Sequence, residues 1–209
     1  MTQSTINKKK NRNTMKAAII FTILAVIAAP VAVLGEYEEV KDVNGNPVIA
    51  EKPYYIIFSD EWVSYYGQDD STPCPQFAVV SIDPLRAPRQ PVLIYLESPP
   101  SLSSGQDHVL EHTEVRFKFQ KMDDSCPGQT GIWKPTTWPR IRVNGTMESE
   151  EGTFKLSRAN MGYWIELGYG EHKVVMNEHE LDEFGYEIDF LGAQIFGYGP
   201  QFRFEPVKM

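Results

Sequence analysis

The chain of 209 residues contains only two cysteines and four histidines. Two cysteines give no support to a structural zinc site built on thiolates. No serine sits in a G-x-S-x-G elbow, and no histidine stands beside a convincing nucleophile in sequence, so catalysis has no positive sign. Sustained helical periodicity is absent throughout. Apart from one run near the start there is no long hydrophobic stretch, which excludes a multi-span membrane protein. Disorder is excluded as well, because 42% of the residues are apolar and 12% aromatic. Positive charge is scarce and misplaced. Five of the 20 lysines and arginines (Lys8, Lys9, Lys10, Arg12 and Lys16) fall in the first 35 residues, which hold no acid. The remainder carries 15 basic against 28 acidic groups, a net charge of −13. Such a body repels phosphate backbones, so no nucleic-acid partner is expected.

The hydrophobic run, Ala17 to Leu34, is uncharged and follows the basic stretch. Its 18 residues fall short of the about 20 that a spanning helix needs. Pro30 and the small residues around Gly35 fit a signal-peptidase site, with Val33 and Gly35 in the two small-residue positions. Residues 1–35 are therefore expected to be a cleaved signal peptide, with Met15-Lys16 as a possible internal start. Cleavage would leave Glu36 to Met209, 174 residues and one domain, with no membrane attachment. A secreted, extracellular protein follows, or a vacuolar one delivered by the same pathway. In that oxidising route Cys74 and Cys126 are expected to form a disulfide. Asn144-Gly145-Thr146 is a glycosylation sequon placed after a strand-like run, where a turn would expose it.

Along the body, short runs rich in β-branched and aromatic residues recur between clusters of Gly, Pro, Asn and Asp. They are 54–59, 76–82, 91–96, 114–120, 140–143, 153–157, 163–167, 172–176, 186–190 and 202–207. The clearest is EVRFKFQ (114–120), which sets Val115, Phe117 and Phe119 on one face and Arg116 and Lys118 on the other. Many short strands at regular spacing predict an all-β barrel or sandwich, and composition does not choose between them.

Val40 to Ile56, VKDVNGNPVIAEKPYYI, narrows the choice. It resembles the N-terminal signature of the Kunitz soybean-trypsin-inhibitor family of plant proteins at Val40, Asp42, Asn44, Gly45, Asn46, Val48, Tyr54 and Ile56. Asp42 and Asn44-Gly45 would form a tight hairpin between an entering strand and the 54–57 strand. Val48, Tyr54 and Ile56 would enter the core. Cys74-Pro75, the 115–119 strand, Cys126 and Gly131 to Lys134 are similar to later family elements in order and spacing. Phe154 to Leu156, Tyr163 to Leu167 and Phe202 to Phe204 fit more loosely, so the likeness runs from about Tyr37 to Val207. It implies a β-trefoil of three four-stranded pseudo-repeats, no enzyme activity, no cofactor or metal, and a monomer.

Family members commonly block serine proteases with one exposed, substrate-like loop. The resemblance places that loop at Ser98, Pro99, Pro100, Ser101 and Leu102. Ser101, or Leu102 in a loop one residue longer, stands where a lysine or arginine is usual, and neither occurs between Arg89 and Arg116. The implied partner is thus an elastase-, chymotrypsin- or subtilisin-like protease rather than a trypsin-like one, in a plant-defence or regulatory role. Two other departures stand out. Ala50 occupies the position of an asparagine that braces the loop in inhibitory members, and the family's second disulfide is missing, with Gly168 near one expected half-cystine. Ala50 and the non-basic loop favour the alternative of a non-inhibitory trefoil, a storage protein or a binding module for carbohydrate or another protein.

Three further patterns read as structural. His108-Val109-Leu110-Glu111-His112 matches a zinc pattern that requires a helix, but here it leads into a strand and reads as a solvated loop. Glu178, Glu180, Asp182 and Glu183 around His179 lack calcium-loop spacing and read as an acidic loop. Gly197-Tyr198-Gly199 reads as a hairpin connection. Trp62, Trp133, Trp138 and Trp164 are expected in the core or at the barrel cap.

Overall fold

Alternation of buried and exposed side chains in the short runs produces strands, and their pairing produces the architecture. The computed structural model describes residues 37–66, 74–81, 83–85, 87–97, 107–122, 126–135, 140–149, 152–169, 172–181, 187–195 and 199–208, without the side chains of 177–180 and 187. The expected signal segment, Trp138 and the proposed loop residues lie outside them.

Twelve strands follow one another in three groups of four. The first holds β1 (Pro53–Phe58), β2 (Glu61–Tyr66), β3 (Phe77–Ser81) and β4 (Val92–Leu96). The second holds β5 (Val115–Phe119), β6 (Lys134–Pro135), β7 (Ile141–Arg142) and β8 (Phe154–Ala159). The third holds β9 (Gly162–Leu167), β10 (Lys173–Leu181), β11 (Glu187–Gln194) and β12 (Arg203–Pro206). The first and last strands of each group pair in one ring. Strand β1 joins β4, β4 joins β5, β5 joins β8, and β8 joins β9. Tyr163 of β9 exchanges two 2.8 Å backbone hydrogen bonds with Phe202, just before β12, and β12 returns to β1. The ring is a six-stranded barrel. The middle pairs form three hairpins, β2–β3, β6–β7 and β10–β11, linked to one another through β3–β7, β3–β11 and an Arg140–Gly192 bridge. A barrel capped by three hairpins is a β-trefoil.

Register decides what fills the barrel. Ile94 faces Phe117, Ile56 faces Phe204 and Leu156 faces Ile165, so each pairing aims an apolar side chain inward. All six are fully buried. Trp133 packs its ring 4.9 Å from Phe117 and 5.7 Å from Phe119, and meets Phe154 edge-on at 6.1 Å. At Gly162 the chain comes so close to the Phe202 carbonyl that an added Cβ would collide with it. Glycine there permits the approach that closes the ring.

Several sequence expectations change. Asp42 and Gly45 do form a turn, with Asp42 Oδ1 accepting the amides of Asn44 (2.8 Å) and Asn46 (3.0 Å), and Gly45 at φ 81°. The hairpin, however, pairs Lys41 with Pro47, and a second turn at 50–52 intervenes before β1. Glu178 to Leu181 belong to β10 and pair with β11, because a bulge after Met176 lets the ladder continue to Glu187. Asp182 and Glu183 lie outside the described residues. Gly197 and Tyr198 lie outside the described residues, and among the described residues the flanking strands β11 and β12 are not paired with each other. Strands β2 and β6 were not anticipated. In β2 the adjacent Val63 and Ser64 are both buried, Ser64 through a 2.7 Å hydrogen bond to the Pro88 carbonyl, which blurs the alternation.

Cys74, before β3, and Cys126, after β5, form a disulfide with Cα atoms 5.3 Å apart, tying the first group of strands to the second. It closes a separation of 52 residues, worth roughly 4 kcal/mol in the chain-entropy account. Replacing both cysteines by serine is expected to lower the unfolding free energy by about that amount in urea titrations. A loss below about 1 kcal/mol would show the staple to be dispensable.

Candidate functional site

Strand β4 leaves the barrel at Leu96, and Glu97 continues its pairing by donating its amide to the Glu114 carbonyl at 3.0 Å. Ser98 to Leu102 lie outside the described residues, and the chain is described again from Asp107. What the structure defines is therefore the framework on which the 98–106 segment stands.

The C-terminal stem is a strand-like ladder. His108 bridges Ile49 and Leu110 bridges Glu39. The Val109 amide donates to the Val48 carbonyl (2.8 Å), and its carbonyl accepts from the Val40 amide (2.9 Å). Val40, Val48 and Val109 are fully buried, so the family-like signature serves as the platform for this stem. Tyr54 adds a brace by accepting the Ile49 amide at its hydroxyl, 3.0 Å, and burial pushes its phenol above the ordinary range. Ala50 sits at the base of the stem, its amide donating to the Asp107 carbonyl at 2.7 Å and its methyl packing on the main core. Position 50 is thus beside Asp107, where the described chain resumes, and its side chain offers no polar brace.

The N-terminal stem is fixed by an unexpected residue. Alternation places Arg116 on the outer face of β5, yet it is only 1% exposed. Its Nε lies 2.6 Å from Glu97 Oε2 and its Nη2 3.0 Å from Oε1, a two-point ion pair. Nη1 donates to the carbonyls of Ser149 (2.7 Å) and Thr146 (3.3 Å). The Arg116 hydrogen bonds hold the Glu97 carboxyl below its ordinary range, against the opposing effect of burial. Glu51 (φ 61°) and His112 (φ 61°) are non-glycine residues in the left-handed region near these two stems, each a conformation costing on the order of 1 kcal/mol or more. Neither residue type announces that conformation in the sequence.

The HVLEH residues take separate partners. His108 Nδ1 lies 2.7 Å from Glu39 Oε1, and Glu111 is buried with its carboxylate accepting from Arg158 Nε at 2.9 Å. His112 Nδ1 lies 3.3 Å from the Ser157 hydroxyl. The segment is therefore a paired and partly buried stem, a correction to the solvated loop expected of it. Among the described residues no cluster of three or more His, Cys, Asp or Glu could hold a metal ion. Asn144 is exposed after β7, and Trp133 is core. Trp62 donates its indole N–H to the Ala87 carbonyl at 2.8 Å, and Trp164 lies beneath Lys173 Nζ at 3.6 Å. At Gly168 a side chain would run into Thr153, so the second half-cystine could not be accommodated there without a shift. A cavity of about 450 Å³ lies apart from the loop stems, between the β1–β2 turn, Met161, β10 and the approach to β12.

No protein-family model matches the chain. It is 26% identical over 171 residues to Kunitz trypsin inhibitor 6 of Arabidopsis thaliana, across 76% of this chain and 80% of that protein. In structure it is similar to the water-soluble chlorophyll protein of Brassica oleracea with chlorophyll b, at 21% identity and a TM-score of 0.64, covering 82% of this chain and 99% of that one. A Kunitz-type cysteine protease inhibitor from potato matches with 19% identity and a TM-score of 0.57, over 83% and 99% of the two chains. The structural likeness establishes the β-trefoil. In sequence the chain is similar to Kunitz trypsin inhibitors.

Because the folded carboxyl of Glu97 is depressed, the Arg116 pair stabilises the fold at pH values above the ordinary glutamate range. That contribution is lost as pH falls through the depressed folded value. Glu97→Gln is expected to cost about 1–3 kcal/mol at pH 7, with the gap to the parent closing as pH falls below the ordinary glutamate range and through the depressed folded value. A gap independent of pH in urea titrations would contradict the ion pair.

Proposed function

We propose that the chain is a protease inhibitor acting through the 98–106 segment, with Ser98, Pro99, Pro100, Ser101 and Leu102 as the protease-facing residues. The observation that carries this reading is the framework. Both stems are tied to the barrel, one by Glu97–Arg116 and one by Ala50–Asp107 and the buried valine ladder. A loop presented on fixed ends meets an enzyme cleft with little further ordering cost and keeps its two ends together if one bond is cut. The relatives in sequence are inhibitors and not enzymes, which agrees with a chain that catalyses nothing.

Specificity follows from the absent cation. With Ser101 or Leu102 at the position that enters the protease pocket, the target is a serine protease with a small or leucine-accepting pocket, of the elastase, chymotrypsin or subtilisin kind. Arg89, the preceding described cation, is already engaged by Glu205 at 2.7 Å and lies over the Tyr55 ring at 4.8 Å. Secretion as a monomer after removal of residues 1–35, and a glycan on exposed Asn144, complete the reading. Ala50 favours a second one, a non-inhibitory trefoil that is a storage protein or a binding module for carbohydrate or another protein, since the side-chain brace expected at position 50 is gone.

Titration of the protein spanning Glu36 to Met209 against trypsin, chymotrypsin, elastase and subtilisin separates these outcomes. Tight inhibition of at least one of the last three, with trypsin unaffected at the same concentrations, is expected. Tight trypsin inhibition abolished by Arg89→Ala would contradict the loop assignment. No inhibition of any enzyme, with the 98–106 segment rapidly degraded, would establish the non-inhibitory reading.

A further inference from the structure

A guanidinium is costly to remove from water, and the penalty in proteins is several kcal/mol unless its hydrogen bonds are fully replaced. Arg116 is nevertheless as buried as the phenylalanines beside it. Three independent features explain its retention. Tyr95 pairs with Arg116 across β4 and β5, so Glu97, two residues on, lies diagonally on the same outer face and within reach of the guanidinium fork. The opposite edge of the fork is filled by the carbonyls of Ser149 and Thr146. The third feature is space. A Cβ on Gly152 would come 2.7 Å from Arg116 Nη1, so the glycine keeps the pocket open for this side chain.

We propose that Arg116 is a positioning residue for the protease-binding loop. It would substitute for the side-chain brace absent at Ala50 by clamping Glu97, the residue from which the loop departs, to the Thr146 and Ser149 carbonyls. This rests on the inhibitor reading for its purpose, but the clamp itself is a property of the free protein. The two stems are then held differently. The Asp107 end is held mainly by a ladder of backbone hydrogen bonds, with His108 paired to Glu39, while the Glu97 end adds to its backbone pairing one side chain anchored at four points. Lysine is a poor replacement, because a single ammonium lacks the planar fork that engages both carboxylate oxygens and the two carbonyls together.

The test measures cleavage within 98–106 by a low concentration of thermolysin, a metalloprotease outside the proposed serine-protease targets, under native conditions, by mass spectrometry, beside urea stability. Four variants are compared with the parent: Glu97→Gln, Arg116→Lys, Gly152→Ala and Leu191→Ala. The last removes a fully buried side chain outside the clamp and controls for general loss of stability. Cleavage is expected to rise about tenfold in Glu97→Gln and Gly152→Ala, the loss of a charged hydrogen-bonded contact, with Arg116→Lys intermediate. Leu191→Ala is expected to stay within about twofold of the parent despite a larger stability loss. Cleavage in the clamp variants at the parent rate, or rising only in step with global stability as in Leu191→Ala, would overturn the proposal. Cleavage can be read whether or not any protease is inhibited. Accelerated cleavage in the clamp variants with no inhibition by the parent would uphold the clamp and reject the inhibitor reading. Inhibition by the parent with unchanged cleavage would do the reverse.

Discussion

Closure of the six-stranded ring is the constraint from which the rest of the molecule follows. An open sheet of twelve short strands would leave long edges unpaired. The exchange of hydrogen bonds between Tyr163 and Phe202 removes them by joining the two ends of the third group of strands, whose β12 pairs in turn with β1. Once closed, the barrel has an interior only as wide as its side chains, and six pairs of antiparallel neighbours must all aim apolar groups inward. Burial of each large side chain contributes about 1.5–3 kcal/mol. Phe117, Phe154, Phe202, Phe204 and Trp133 therefore dominate the stability of a chain with one disulfide. The three hairpins add a smaller apolar layer around Phe77, Val79 and Phe190, with Arg140 stacked 3.9 Å over the Phe190 ring.

The same closure makes the loops usable. A connection that leaves a barrel strand inherits a fixed starting direction, and what happens next depends on the groups at its base. At the 98–106 segment those groups are unlike one another. Backbone pairing with the 39–49 hairpin holds one end, and a buried arginine holds the other. The arrangement links the sequence signature to the loop in physical terms. The signature supplies Val40, Val48 and the turn at Asp42 that hold the return stem in place. Electrostatics act in the same direction. In a body of net negative charge, an arginine buried against its carboxylate is screened far less than a surface pair, so the clamp persists at physiological salt.

Much of the fold was readable because strand alternation is strong wherever one face is buried. Val115, Phe117 and Phe119 announced β5, and the Val40–Ile56 signature identified the trefoil before any pairing was known. The two missed strands have local causes. In β2 two adjacent residues are buried, and β6 is two residues long and ends in proline. The extent of β10 was hidden by a bulge, which lets charged residues from Glu178 onward continue a ladder that composition assigns to a loop. At the site, the resemblance singled out Ala50, whose amide meets the Asp107 carbonyl, while the loop residues Ser98 to Leu102 lie outside the described residues. The Glu97–Arg116 clamp was not, because an arginine alternating with phenylalanines reads as a solvent-facing residue. Its burial depends on the Thr146 and Ser149 carbonyls, 30 and 33 residues away in sequence.

Specificity transfer tests the central claim most directly. Ser101→Arg and Leu102→Arg would be introduced separately, and each variant titrated against trypsin. If the 98–102 segment is the protease-facing element, one of the two acquires tight trypsin inhibition and loses that of the parent's own target, with stability unchanged. If neither inhibits trypsin while both remain folded and intact at the loop, the segment does not enter a protease cleft, and the trefoil serves another purpose.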